Sequence, residues 1–436
     1  MNFKINLSEK SKEELIDIII NKEKKIEELE RELKKYKNPN TPSSSNKHIK
    51  PNTQGFKAEH GAKRGAPVGH KGTTLNLPSA EEIIPVFAHE CANCGSPDVE
   101  LTGNVKEKVV VCLIKPKTIV KKYLQAEMRC FDCHNITLAL HKDIPERGIY
   151  DKTIQSLVNY FKFKSRLPHN LIVDCMNSVF NVPMTAATSL NITRRGSDKL
   201  EQHYRRLEHK IKKQDVINAD ETICSVNGVN HWMWIFCNEL LSLFKFNKER
   251  GGDIVEKTLG KNFTGKIVSD GWKTYSVYCS KNKVIHGRCW SHGLREVKHE
   301  CKVKHPSLYK WFCDIFDMTK KGKAESDENK RPVWFEKCKA ELSMWITHAE
   351  VHQNLRKLTT KIKNGADDWF TAILHPEVPL DNNEAERSLR PFVVVRKIIG
   401  CLRSDIGKRN YEVMMSLIST WQKQNKNVFY TLQATL

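Results

Sequence analysis

The chain has 436 residues, too long for one ordinary domain, and its 72 Lys and Arg against 51 Asp and Glu give a formal charge of +21. With 39% hydrophobic residues it can bury a core, which excludes a disordered polyelectrolyte. Its longest apolar runs, such as Val109 to Ile114, fall far below the roughly 20 residues that span a bilayer, which excludes an integral membrane protein.

The N-terminal MNFKINLSEK lacks the apolar stretch of a secretory signal, so a cytoplasmic, reducing setting is expected. The 14 cysteines then read as thiols or metal ligands rather than a disulfide framework. A positive excess of this size points to an extended polyanion, with nucleic acid the default partner.

Residues 1–37 predict a coiled-coil helix, because Leu15, Ile19, Ile26, Leu29, Leu33 and Tyr36 recur at spacings of three, four and their multiples. Lys22 occupies the one seam position that should be apolar. Self-association is the expectation; an amphipathic helix packed on its own chain is the alternative. Residues 38–80 are rich in Pro, Gly, Ser, Asn and Lys and read as a basic flexible linker. From Lys37 to Lys71 seven Lys or Arg face only Glu59, which suits either an arm that tracks phosphates or a solvated tether.

Residues 81–147 contain two CxxC knuckles, Cys91-Ala-Asn-Cys94 and Cys130-Phe-Asp-Cys133, on either side of segments that read as strands, 105–113 and 118–124. Four thiolates suit a tetrahedral structural Zn²⁺ that supplies the stability a small core cannot. A redox role would need only one pair. His134, beside the second knuckle, is an alternative ligand or a solvent-facing residue.

Residues 148–213 read as helical. Leu171 to Phe180, the turn Asn181-Val-Pro-Met184 and Thr185 to Arg195 have the outline of a helix-turn-helix, which any two short helices joined by a turn share. Arg194, Arg195, Lys199, Arg205, Arg206, Lys210, Lys212 and Lys213 outnumber the nearby acids, which favours a duplex backbone.

From residue 214 the pattern alternates. Val216 to Val226, His231 to Cys237 and Leu241 to Phe246 read as an antiparallel meander with turns at Asn227-Gly228 and Asn238-Glu239. A helix, Asp253 to Leu259, leads to a fourth strand ending in Asp270. That order describes the start of an RNase H-like core, with strand four beside strand one and Asp220 facing Asp270. Residues 214–299 form its first part, 300–375 a helical insertion with Trp311, Trp334, Trp345 and Trp369 as core, and 376–436 its second part.

Two carboxylates on adjacent strands suit Mg²⁺ (or Mn²⁺), which takes a few carboxylates and keeps waters for a phosphate substrate. A third acid is needed, and Asp381-Asn-Asn-Glu-Ala-Glu-Arg-Ser-Leu-Arg-Pro391 offers Glu384 and Glu386 on a helix capped by Asp381 or Asn382. Locally, Glu386 and Arg390 would pass for an ordinary surface pair one turn apart.

Ala219-Asp-Glu-Thr222, Val268-Ser-Asp-Gly271, Cys289-Trp-Ser-His292, Asp381-Asn-Asn383, Glu386-Arg387, Arg390-Pro391, Arg396-Lys397 and Arg403-Ser-Asp-Ile-Gly407 together resemble the transposases of the insertion sequence 66 family over nearly the whole chain. Trp272 stands where that family often has Tyr, and Gly293-Leu294-Arg295-Glu296 where a second basic residue is common. The resemblance implies an α+β multidomain protein: coiled coil, small β-rich zinc-binding unit, helical DNA-binding region and RNase H-like catalytic core with a helical insertion.

It also implies a catalytic, Mg²⁺-binding triad of Asp220, Asp270 and Glu386, with DNA phosphates met by Arg387, Arg390, Arg396, Lys397 and Arg403 near the site and by Arg194 and Arg195 on the helices. Cys289 and His292 are implied as active-site support, against a buried thiol and a packing His. The expected reaction is hydrolysis at each transposon end to free a 3′-hydroxyl, which then attacks target DNA. Expected partners are double-stranded DNA (terminal inverted repeats and target), a second copy of the chain and small accessory proteins of the same element, with no membrane and a nucleoid-associated location on DNA. A domesticated DNA-binding regulator and an RNase H-like nuclease without strand transfer are the alternatives.

Overall fold

The computed structural model describes residues 21–22, 25–26, 29, 79–101, 104–112, 116–251 and 253–436. The expected coiled coil and linker lie mostly outside them; the described positions Asn21, Lys22, Lys25, Ile26 and Leu29 are helical and exposed. Contacts divide the chain into two units, one spanning His48–Ile119 and the other including Val120–Leu436.

The described residues of the first unit form turns and extended chain without helix or strand, so the strand expected over 105–113 is absent among them. The strand expected over 118–124 is absent as well. Apolar alternation alone does not make a strand: among the described residues these segments join no ladder, and a strand forms only where a neighbour takes its N–H and C=O groups. Pairing occurs instead around the second knuckle, where β1 (Glu127–Arg129) and β2 (Ile136–Leu138) run antiparallel.

Three helices precede the main sheet. Asp151 caps α1 (Lys152–Asn159), taking the Ile154 N–H at 2.9 Å, and the chain continues through a π-turn at Tyr160–Lys164. After α2 (His169–Ser178), Thr185 caps α3 (Ala186–Ile211), a 26-residue helix. The expected second helix of a helix-turn-helix thus runs on well past Arg195, because Ile192, Leu200, Tyr204, Leu207 and Ile211 continue one buried stripe. Gly196 lets α1 approach: a Cβ there would lie 2.8 Å from Asn159 Nδ2.

The six-stranded sheet has the order β5-β4-β3-β6-β7, with β8 also pairing with β3. Its strands are β3 (Val216–Val226), β4 (Val229–Cys237), β5 (Ser242–Asn247), β6 (Lys266–Ser269), β7 (Ile285–Arg288) and β8 (Cys401–Leu402). The β3-β4 turn falls at Asn227-Gly228 as expected, both with positive φ (49° and 79°). After α4 (Asp253–Leu259), β6 lies parallel to β3, Ile217 opposite Ile267, so strand four stands beside strand one. β7 was not legible: Ile-His-Gly-Arg carries neither alternation nor a long apolar run.

Following α5 (Lys273–Asn282), the chain builds a separate helical core from α6 (Trp290–Cys301), α7 (Pro306–Lys323), α8 (Arg331–Glu350), α9 (Arg356–Lys363) and α10 (Thr371–Leu374). Trp290, Phe312, Trp345, Trp369 and Phe370 fill it, with Trp311 and Trp334 packed at its edge. The chain then returns as α11 (Asn383–Ile399) across β3 and β4, followed by α12 (Asp405–Lys423) against β5 and α3, and α13 (Val428–Thr435). Among the described residues no helix is long and apolar enough to cross a membrane.

Candidate active site

Asp220 lies within β3, opposite Ile235 of β4. Burial, followed by the charge of Glu221 and then those of Asp270 and Glu386, pushes its carboxyl up to about 8; the Glu221 N–H, 2.9 Å from Oδ1, works against this. Asp270 is the first residue past β6 and takes the Trp272 N–H on Oδ1 at 2.9 Å. Gly271 (φ +83°) is required there, since a Cβ would lie 2.5 Å from Arg288 Nε.

Glu386 sits in the first turn of α11, whose entry is fixed by a fully buried Asn382. Asn382 donates Nδ2 to Ala219 O (2.8 Å), accepts from Asn218 Nδ2 (3.0 Å), and gives its backbone N–H to Cys289 Sγ (3.1 Å). A cleft of about 410 Å³ is lined by Asp220, Glu221, Thr222, Asn383, Glu386, Arg387 and Arg390. Asp270 lies outside its walls, although its charge acts on Asp220.

The structure separates the two glutamates of α11. Glu384 is engaged by Lys423 Nζ (2.8 Å) and Arg387 Nη2 (2.6 Å), which outweigh burial and hold its carboxyl below the usual range. Glu386 faces the cleft, with Oε1 3.4 Å from His292 Nε2 and without a hydrogen-bond partner. His292 Nδ1 is likewise unpartnered, and Cys289 is buried with burial pushing its thiol up.

The remaining cations divide. Arg387, Arg390, Lys397, Arg403 and Arg194 are exposed and Arg195 is half-buried. Arg396, expected at a phosphate, is instead buried, its Nη1 on Thr222 Oγ1 (2.8 Å) and Ile223 O. Its role in this fold is to tie α11 to β3.

Sequence reading missed two groups. Glu221, beside Asp220, is buried and accepts from Tyr275 OH (2.7 Å) and Arg250 Nε (2.9 Å). Behind Asp270, His286 joins Ser269 Oγ (2.8 Å, Nε2) to Asp368 Oδ2 (2.7 Å, Nδ1), and Ser269 Oγ also takes the Gly271 N–H (3.3 Å). Ser269 is fully buried, so this chain positions the Asp270 turn rather than presenting a nucleophile. Glu221 was visible within Ala219 to Thr222; His286 and Asp368 lie 82 residues apart, so their bond leaves no local signal.

Among the described residues no group of three or more His, Cys, Asp or Glu converges closely enough to hold a metal ion. In donor chemistry the acids nevertheless fit a divalent cation: Asp220 is raised by burial and then by its carboxylate neighbours, and Glu386 Oε1 is buried with no hydrogen bond. The knuckles share one local geometry. Gly95 N–H reaches Cys91 O (2.8 Å) and His134 N–H reaches Cys130 O (3.0 Å), with Gly95 and His134 both at positive φ (74° and 58°). Backbone N–H groups within each knuckle hold the Cys91 and Cys130 thiols below their ordinary range.

An 81-residue segment is 30% identical to the uncharacterized protein y4jO of Sinorhizobium fredii (strain NBRC 101917 / NGR234), covering 19% of this chain and a quarter (25%) of that protein. Residues 147–410, from the first helices through the cleft to α12, match the family described as Transposase IS66 family. That match takes in both aspartates and Glu386, and on it the chain belongs to the IS66 family of transposases.

Proposed function

We propose that the chain is a DDE-type transposase with an RNase H-like core, in which Asp220, Asp270 and Glu386 serve cleavage and joining of DNA. The observation that carries this is the gathering of Asp220 and Glu386 in one cleft beneath exposed Arg387 and Arg390, with the charge of Asp270 acting on Asp220. Glu384, occupied by Lys423 and Arg387, is unsuited to the third place.

The three carboxylates would hold Mg²⁺ or Mn²⁺, which when bound neutralises charge developing on the phosphate oxygens. Arg387 and Arg390 orient the phosphodiester from the rim, and Asn382 and the His286 chain hold Glu386 and Asp270 against β3. Attack of water on the phosphodiester at each end frees a 3′-hydroxyl; attack of that hydroxyl on a target phosphodiester forms the new P–O bond, breaks the target's P–O3′ bond and releases a target 3′-hydroxyl. Binding of terminal inverted repeats falls to α2, the exposed start of α3 and the knuckles, whose thiolate pairs suit structural Zn²⁺. Action on DNA places the protein at the nucleoid, as a homo-oligomer pairing two ends and assisted by the element's accessory proteins.

Incubation of the full chain with terminal-repeat duplex, target plasmid and Mg²⁺ tests the reading. Joined products that fall at least about a hundredfold in Asp270→Asn and Glu386→Gln support it. Cleavage without joining indicates a nuclease, and binding alone a regulator. The zinc assignment fails if the purified protein lacks stoichiometric zinc or if Cys91→Ser leaves metal content unchanged.

A further inference from the structure

We propose that Trp272, backed by Arg250, is a stacking platform for an unpaired nucleotide of the DNA strand beside the phosphate being processed. This rests on the function proposed above. Of the nine tryptophans, all within the described residues, Trp272 is the one in an exposed position, at 39%. The others are buried or half-buried.

Its support is a chain of contacts. The Arg250 guanidinium carbon lies 3.7 Å from the Trp272 ring centroid and 4.7 Å from that of Trp232. Arg250 is fixed in turn by Glu221, through Nε at 2.9 Å and Nη2 at 2.8 Å, and the other Glu221 oxygen is held by Tyr275 OH at 2.7 Å. The two ends of this assembly adjoin the two aspartates: Glu221 follows Asp220 in β3, and the Trp272 N–H is bonded to Asp270.

A flat ring, covered on one face by a cation and standing next to the acids, offers its remaining face to a flat partner. Bases inside a duplex already have both faces stacked, whereas an unpaired base has one to give and stacks regardless of its identity. The adjacent exposed Lys273 adds positive charge for that nucleotide's phosphate. The bland alternative is that Trp272 only shields the Arg250 to Glu221 pair from water.

The experiment measures equilibrium binding of the full chain, by fluorescence anisotropy, to two terminal-repeat duplexes, one fully paired and one with unpaired nucleotides beside the cleavage phosphate. The wild-type chain should prefer the unpaired form roughly tenfold. Trp272→Ala should bind both alike, while Trp272→Phe keeps most of the preference. Preference that survives in Trp272→Ala overturns the proposal, as does a Trp272→Ala chain that only loses thermal stability. Asp220→Asn should abolish joining and keep the preference. A wild-type chain that prefers unpaired ends and joins nothing refutes the transposition reading alone; one that joins without preference refutes the platform alone.

Discussion

Asn382 donates its side-chain amide to the carbonyl of Ala219 at 2.8 Å, so the residue that opens the Glu386 helix is bonded to the residue that precedes Asp220. Two of the candidate acids are thereby held by one buried amide. Replacing Asn382 with Leu takes the donor from the Ala219 carbonyl and leaves the Asn218 amide only its long contact with Asp381 O (3.4 Å), and should cost about 1–3 kcal/mol in urea unfolding. Asn382→Asp keeps the acceptor and loses the donor. Strand joining should fall in both variants, more than their binding of terminal-repeat DNA falls.

The raised Asp220 carboxyl makes a prediction about pH. Its folded value of about 8 lies above the ordinary 3.8, so the folded chain binds a proton that the unfolded chain has released. Without metal, the contribution of Asp220 to stability is therefore greatest below about pH 4, declines as pH rises to about 8 and is level above that. Asp220→Asn should flatten this slope in EDTA and be the more stable protein at pH 8 by on the order of a few kcal/mol. Equal slopes in the two proteins, measured by denaturant titration across that range, would contradict it.

Glu384 and Glu386 should separate cleanly. Glu384→Gln weakens the contacts with Lys423 and Arg387 and should lower stability by no more than about 1 kcal/mol with joining retained. Glu386→Gln should remove joining at unchanged stability. Reversed phenotypes in a joining assay would move the third acid to Glu384.

His286 supports Asp270 from behind. His286→Ala leaves Ser269 and Asp368 without their shared partner, and a loss of about 1–3 kcal/mol is expected. The signature of positioning, beyond lost stability, is a higher Mg²⁺ concentration for half-maximal joining at temperatures where the variant is folded. An unchanged Mg²⁺ requirement would reduce the chain to packing.

Exposed and buried arginines should differ in salt dependence. Removing Arg390, Lys397 or Arg403 should each reduce the log-log salt slope of DNA binding by about 0.9. Arg396→Ala should leave the slope unchanged and destabilise the fold, because its guanidinium is spent on Thr222 and Ile223.

The core was legible where local chemistry dictates local shape. Asn227-Gly228 announces a tight hairpin, and the apolar alternation of β3 and β4 leaves one register that buries it. Legibility failed where partners are remote. Ile-His-Gly-Arg becomes β7 only because β6 supplies its hydrogen bonds, whereas residues 105–112, apolar as they are, form no strand among the described residues. Arg396 looked like its exposed neighbours in sequence; only its turn of α11 facing β3 makes it internal. Spacing alone likewise could not tell Glu384 from Glu386, which Lys423, 39 residues on, distinguishes.

The unbroken length of α3 has a mechanical consequence. Its 26 residues make a rod about 39 Å long, as long as roughly eleven base pairs of duplex, and its last turn is separated from β3 by only a few residues. On the proposed reading, the part of the chain that recognises an end and the part that cuts it are coupled by a strut rather than a tether. Cutting distance is then a built-in dimension of the protein: a DNA end whose recognition sequence is shifted along the duplex cannot be accommodated by slack, and insertions within α3 would shift the cut where insertions in a loop would not.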